Sequence, residues 1–403
     1  MLSSHRHLPL LYHLFDQAGR QAERIGLRVG DLHLDTLVND AQRQTGLEDF
    51  GHTYFRAGLE KLLDSLTEDA HLRFYGRLVM RFVLTNYLTQ RLLFVDVQKH
   101  RLEKLKPLQQ PPIVVTGLHR SGTTFLHRLL ALDPVNAGVP FWRLYRPFRP
   151  PGPFDLRKVK AWVELCLLKP IFPGIQQKHC IRPFVPEESC WMMGLSFHSI
   201  VFWILAPVYT YLEWLQAQDM SEVYREYGVL LQALQSTAPG QRLALKAPDH
   251  MPHLDQLLAA IPNARIIQLH RDPAACALSL SSLFYSTHIA LSERVDPRRL
   301  AEANLAMMAD FIKANRRARQ DPAVDQMVVD IDYEDLVSDP QQTVQEIYDH
   351  FGLVFSEAFA ARLSGFIKRL DKRGRRDHHY SSEQFGLSEA EIKAAFKGLE
   401  MNP

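Results

Sequence analysis

One run leaves this chain few choices of architecture. Four β-branched residues, Ile113, Val114, Val115 and Thr116, lead into GLHRSGTTF, Gly117 to Phe125. Consecutive β-branched residues suit a strand buried on both faces, the pattern of a parallel sheet. Glycine at 117 and 122 permits a tight turn. The apolar, helix-forming FLHRLLAL then carries the chain away until Asp133-Pro134. A strand, a glycine turn and a helix start together form an anion site, because the first helical N–H groups lack intrahelical partners and point into the turn.

Nucleotide hydrolases use Gly-x4-Gly-Lys-Ser/Thr for this purpose, with the lysine on the outer phosphates. Gly117 and Gly122 keep that separation, but Thr123 stands at the lysine position and Thr124 follows. A threonine cannot offset the charge at the far end of a triphosphate. The loop is better equipped to hold one phosphate through its amides, through Ser121, Thr123 and Thr124, and through the fixed charge of Arg120.

The rest of the chain predicts an α/β fold. RLALKAPDHMPH reads as a strand ending near Lys246, with a helix from about Met251. NARIIQLHRDPAACALSLSSL repeats the plan, with a strand from Ile266 to His270, Asp272 as N-cap and Pro273 at the first helical position. A long helix from Arg298 to Arg319 and a strand in MVVDIDYEDL follow. Alternating strands and helices imply a parallel sheet flanked by helices. From about Phe15 to Leu105 the apolar spacing is helical throughout, and Pro107, Pro111 and Pro112 mark a break. The expected organisation is a helical N-terminal region over residues 1–108 and an α/β domain over 109–403. A proline-rich and apolar insertion occupies about 140–240, its proline-rich part reading as an irregular wall or lid.

The loop TGLHRSGTTFLHRLL resembles the 5′-phosphosulfate loop of the sulfotransferases, which transfer a sulfuryl group from 3′-phosphoadenosine 5′-phosphosulfate. Arg120 stands where cytosolic members commonly have lysine, as in the protein-tyrosine and many bacterial members. The resemblance implies a P-loop-like fold and that Arg120, Ser121, Gly122, Thr123 and Thr124 hold the sulfate end of the donor. It also implies a 3′-phosphate site formed by an arginine at a strand end and a serine eight residues on, here Arg271 and Ser279. VDIDYEDLVSDP and YSSEQFGLS are similar to further family segments, and Lys372 to Arg376 could close over the 3′-phosphate. The likeness runs from about Pro111 to Leu387 and is loose between Pro140 and Arg242. The N-terminal helices carry no such motif.

Attack by a hydroxyl on sulfur needs a base for its proton and positive charge near the departing phosphate. Lys246 and His250 follow a strand end, where ligands gather in parallel sheets. In the cytosolic sulfotransferases a lysine and a histidine at the equivalent strand end stabilise charge and take the proton, at shorter spacing. His250 is therefore the expected base, with Glu187 and Glu188 as rivals and His253 and His119 as lesser candidates. No metal is expected. Two other readings stay open, a phosphotransferase or nucleotidase using a degenerate phosphate loop and a non-catalytic nucleotide-binding module; a magnesium-dependent nucleotidase would require a strand-end aspartate, for which Asp330 and Asp332 are the nearest residues.

Composition restricts the partners. The formal net charge is +2, which gives no global face for nucleic acid. Cys166, Cys180, Cys190 and Cys276 form no Cys-x-x-Cys pair and suggest free thiols in a reducing compartment. MLSSHRHLPLLYHLF is interrupted by histidines, arginine and proline and does not read as a signal peptide, so a cytoplasmic location is expected. Ser189 to Leu212 holds 24 residues without Asp, Glu, Lys or Arg. A span there would put the loop and Arg271 on opposite sides of a membrane. Its expected role is a buried helix lining the acceptor pocket and suited to an apolar or aromatic acceptor, with shallow membrane contact as the alternative; the acceptor itself stays open among a carbohydrate, a lipid, a phenol and a peptide tyrosine. The unmatched N-terminal helices offer a surface on which two copies could pair.

Overall fold

The computed structural model describes residues 10–24, 30–101, 103, 105–172, 178–179, 181–236, 238–371 and 382–399. The basic run Lys372 to Arg376 and Cys180 lie outside them. Five parallel strands form one sheet: β1 Ile113–Gly117, β2 Asn136–Gly138, β3 Arg242–Lys246, β4 Arg265–His270 and β5 Val328–Asp332, in the order β2-β3-β1-β4-β5. β1 pairs with β3 through Val115 opposite Lys246, and with β4 through Gly117 opposite Leu269. The central strand thus has β3 on one side and β4 on the other. All three carboxyl ends reach the same edge, where parallel sheets bind ligands.

The alternation along β1 divides the interior. Val114 joins one apolar cluster and Ile113 and Val115 join another, since successive side chains point to opposite faces. The N-terminal helices are α1 Leu10–Arg24, α2 Leu34–Thr45, α3 Tyr54–Glu68 and α4 Phe74–His100, and the first cluster continues into α2, α3 and α4 through Leu37, Leu62 and Tyr87 among others. The second packs Ile267 and Leu269 against Leu129 of α5, Thr123–Leu130, and against Val344 and Tyr348. Each fully buried aliphatic side chain contributes about 1.5–3 kcal/mol.

The helix over Pro273–Leu291 starts as its sequence predicts. Asp272 accepts from the Ala274 and Ala275 amides at 3.1 Å each, and Pro273 needs no partner at the first position. Among the described residues it is the one helix long and apolar enough to cross a membrane, and 67% of its apolar window is buried in the protein. Three expectations change. The helix placed from Met251 begins as a 3-10 turn, Pro248–His253, and becomes α-helical only at Leu254, because Pro252 interrupts the ladder. The proline-rich wall contains a regular helix, Arg157–Leu168. Ser189 to Leu212 is divided among short helices at Cys190–Met193, Gly194–Ser196, Val201–Leu205 and Tyr209–Gln216. Most of it is buried, so it neither spans a membrane nor presents a face to one.

Candidate active site

β1 delivers the chain to Gly117 at φ +133, where an added Cβ would lie 2.5 Å from the Leu269 carbonyl oxygen. At Gly122, φ +99, it would lie 2.7 Å from the Tyr333 ring. Only glycine lets the turn pass so close to β4 and to Tyr333. Arg120, between them, is left-handed at φ 73, a conformation that costs an ordinary residue about 1–2 kcal/mol. Its side chain is anchored to offset this. Nε donates to Ser279 Oγ at 3.1 Å and Nη1 donates to the Lys178 carbonyl at 3.2 Å.

The second anion element meets the first at this residue. Arg271 Nη1 donates to the Arg120 carbonyl at 2.9 Å, and its guanidinium lies 4.1 Å over the Tyr333 ring. Arg271 does not fold back onto Asp272, which caps its own helix. Two segments some 150 residues apart therefore form one surface, with Arg120, Arg271 and Ser279 linked side by side. Ser121 Oγ is buried there without a protein partner. A buried hydroxyl without a partner, two glycines that no Cβ could replace and the open amides of a helix start together fit a bound phosphate or sulfate.

Lys246 closes the site from β3. Its side chain is buried, its Nζ donates to Thr124 Oγ1 at 3.2 Å, and it forms an ion pair with Glu188. Burial pushes the Glu188 carboxyl up, but Lys246, with His179 and His119 behind it, outweighs this and brings it down to about 2. Glu187 pairs with His179 at 3.2 Å, and this neighbour outweighs burial to hold its carboxyl below the ordinary range. The ligand atoms of His179, Glu187 and Glu188 lie within 4.8 Å of one another. The Lys246 ammonium already supplies a cation to that group.

His250 stands apart from this arrangement. Its Nε2 meets Ser189 Oγ at 3.2 Å and its Nδ1 meets the Tyr224 hydroxyl at 3.0 Å. Both nitrogens are taken, and burial pushes its pKa down to about 3. The strand-end spacing that recommended it as base leads instead into the 3-10 turn, where the ring packs on Tyr224 and Tyr227. His253 is half-buried, and desolvation pushes it down to about 4. His119 pairs with Asp249 at 3.2 Å, between the rings of Phe284 and Phe311. Asp330 is bound by Arg319 through two 2.7 Å bonds and by His270. Sequence reasoning missed Lys178, His179 and Tyr333. VDIDYEDL was singled out, but only the fold puts Tyr333 under Arg271.

Histidines shielded from water make the fold sensitive to acid. Burial lowers His127, His253 and His288 to about 4 and His250 to about 3, each below the ordinary 6.5. Below pH 6.5 the unfolded chain takes up protons that the fold refuses. Stability is therefore complete above that pH and falls toward pH 4, by up to about 1.4 kcal/mol per pH unit for each histidine. Asp249 and Glu164, both raised by burial, oppose this but are outnumbered by the histidines. Thermal unfolding should show a melting temperature that declines steeply from pH 6.5 to 5. A flat profile over that range would contradict the burial.

Comparison with known proteins identifies the family and the fold. A model of the sulfotransferase family matches residues 111–357. The omega-hydroxy-beta-dihydromenaquinone-9 sulfotransferases Stf3 of Mycobacterium tuberculosis and Mycobacterium bovis are 26% identical over 274 residues, covering 64% of this chain and 67% of theirs. The solved sulfotransferase STF1 of Mycobacterium tuberculosis superposes with a TM-score of 0.73 at 30% identity, over 91% of this chain and 98% of that one. STF9 of Mycobacterium avium gives 0.77 at 25% identity, over 91% and 96%. Coverage that wide includes part of the N-terminal helices, which the sequence motifs did not reach. Because the family match contains the glycine loop, Lys246, Arg271 and Ser279 in one span, the chain belongs to the sulfotransferase family.

Proposed function

We propose that this enzyme transfers the sulfuryl group of 3′-phosphoadenosine 5′-phosphosulfate to a hydroxyl on a small, largely apolar acceptor, in the cytoplasm. The observation that carries the donor reading is the junction at Arg120, which bonds Ser279 while its carbonyl holds Arg271. Two anion-binding elements so joined suit one molecule with a negative group at each end. Arg120, Ser121, Gly122, Thr123 and Thr124 would hold the 5′-phosphosulfate. Arg271 and Ser279 would hold the 3′-phosphate, the arginine through its planar fork.

In this reading Glu188 accepts the acceptor's hydroxyl proton as oxygen attacks sulfur. The bond from sulfur to the bridging oxygen breaks, and its electron pair stays on the departing phosphate. Lys246 and Arg120 face that growing charge. Lys246 is shared between Glu188 and Thr124 of the loop. A phosphate on the loop draws the ammonium toward itself and relieves the influence that depresses Glu188. The carboxylate then gains basicity when the donor is in place.

The acceptor reading rests on the walls. Met193, Ile200, Leu212 and Phe311 line a cavity of about 40 Å³ beside Asp249, the partner of His119 in the loop; it has room for a water or two, and an acceptor would widen it on binding. The Stf3 relatives are named for a hydroxylated menaquinone, an acceptor of the same chemistry. Thermal shift tests the donor reading. Adenosine 3′,5′-bisphosphate at about a hundredfold excess over Kd should stabilise the fold by about 2.7 kcal/mol. ATP with magnesium should give far less, and preference for ATP with magnesium would overturn the reading in favour of a nucleotidase.

A further inference from the structure

The helix Arg157–Leu168 has its apolar stripe on the wrong side for a core helix. Toward the protein it turns Arg157, Ala161, Glu164, Leu165 and Leu168. Arg146 grips Glu164 through bonds of 2.7 and 2.8 Å, and Arg157 donates to the carbonyls of Arg146 and Pro147 at 3.1 and 2.6 Å. The outward face carries Val159, Trp162 and Val163 at helical spacing, 55%, 52% and 39% exposed. Phe154 (75%) and Leu156 (51%) extend it, and Phe184 (57%) is a further exposed aromatic three residues before Glu187. A surface helix normally turns such a stripe inward.

Charge decides what this face fits. Lys158, Lys160 and Lys169 are exposed along the same helix and at its end. Between Phe141 and Pro170 there are seven basic residues and two acidic ones, although the whole chain carries only +2. A second copy of the chain meeting this face symmetrically would set lysine against lysine. An anionic lipid surface takes both features at once, with apolar rings in the boundary between headgroups and acyl chains and ammonium groups on the phosphates.

We propose that this face docks the enzyme on an anionic bilayer, with Trp162 and Phe154 as anchors and Lys158, Lys160 and Lys169 as the electrostatic rim. The docking stands on the surface alone and holds whatever the acceptor is.

Vesicle flotation of the full chain tests it. Wild type should bind phosphatidylglycerol-containing vesicles at least about tenfold more tightly than pure phosphatidylcholine, since each basic residue near the surface adds roughly fivefold. Salt raised to about 0.5 M should weaken the binding. Val159→Asp with Trp162→Asp, and separately Lys158→Glu with Lys160→Glu, should each lose at least about tenfold. All four positions are exposed, so melting temperature and the response to adenosine 3′,5′-bisphosphate should be kept. A retained response also separates failure here from failure of the donor reading. Wild type that ignores anionic vesicles, or variants that bind like wild type, would overturn the proposal. So would a wild-type dimer that the Val159→Asp, Trp162→Asp variant turns into a monomer without any vesicle binding.

Discussion

Glu188→Gln should lower turnover by about 10²–10⁴-fold while leaving affinity for adenosine 3′,5′-bisphosphate within a few-fold. The substitution keeps the shape and removes only the capacity to take a proton. Lys246 loses its partner but keeps Thr124 and the loop anion, so donor binding should survive. His250→Gln is the informative contrast. That ring is enclosed by the Ser189 and Tyr224 hydroxyls, so the change should reduce stability and leave turnover per folded molecule nearly intact. Single-turnover rates with saturating donor, beside calorimetric Kd values, give the comparison. If the histidine variant loses turnover and the glutamine variant at 188 does not, the assignment of the base is wrong.

Arg271→Ala should weaken bisphosphate binding by about 10- to 100-fold, the loss expected when a hydrogen bond to a charged group is removed. A second loss comes from the loop, since the Arg271 guanidinium also holds the Arg120 carbonyl at 2.9 Å and so supports a left-handed residue. Arg271→Lys should recover only part, because an ammonium cannot reproduce the planar fork or its stacking on Tyr333. Binding of adenosine 5′-monophosphate, which lacks the 3′-phosphate, should change much less. Equal losses for the two nucleotides would show that Arg271 acts through the loop alone.

Both predictions concern residues that were legible for different reasons. The loop, the end of β3 and the Asp272 cap are written locally. β-Branched runs, glycines at two fixed places and an Asp-Pro pair need no distant partner to be read. The edge strand β2 was missed because its three residues, Asn136–Gly138, carry no alternation and pair only once β3 is in place. The helix Arg157–Leu168 was hidden by flanking prolines, although its spacing is regular. His250 attracted attention because it follows a strand end. Its hydroxyl partners lie 61 and 26 residues away in the chain, so its enclosure has no local signature.

Ser189 to Leu212 shows the same division at the scale of a segment. Its composition matched a spanning helix by length, and only the requirement that the loop and Arg271 share one side argued against that. In the fold it breaks at the turn around Phe197, whose φ of 55 no continuous helix allows.

The amino-acid sequence by itself determined the parallel α/β plan and the shape of the anion loop, because both follow from backbone preferences acting within about twenty residues of each other. Tertiary structure alone decided which side chains share the site. Glu188 meets Lys246 across 58 residues and Arg120 meets Ser279 across 159. Contacts at such separations arise from strand order and core packing, and these depend on the whole chain closing around its interior rather than on any local pattern.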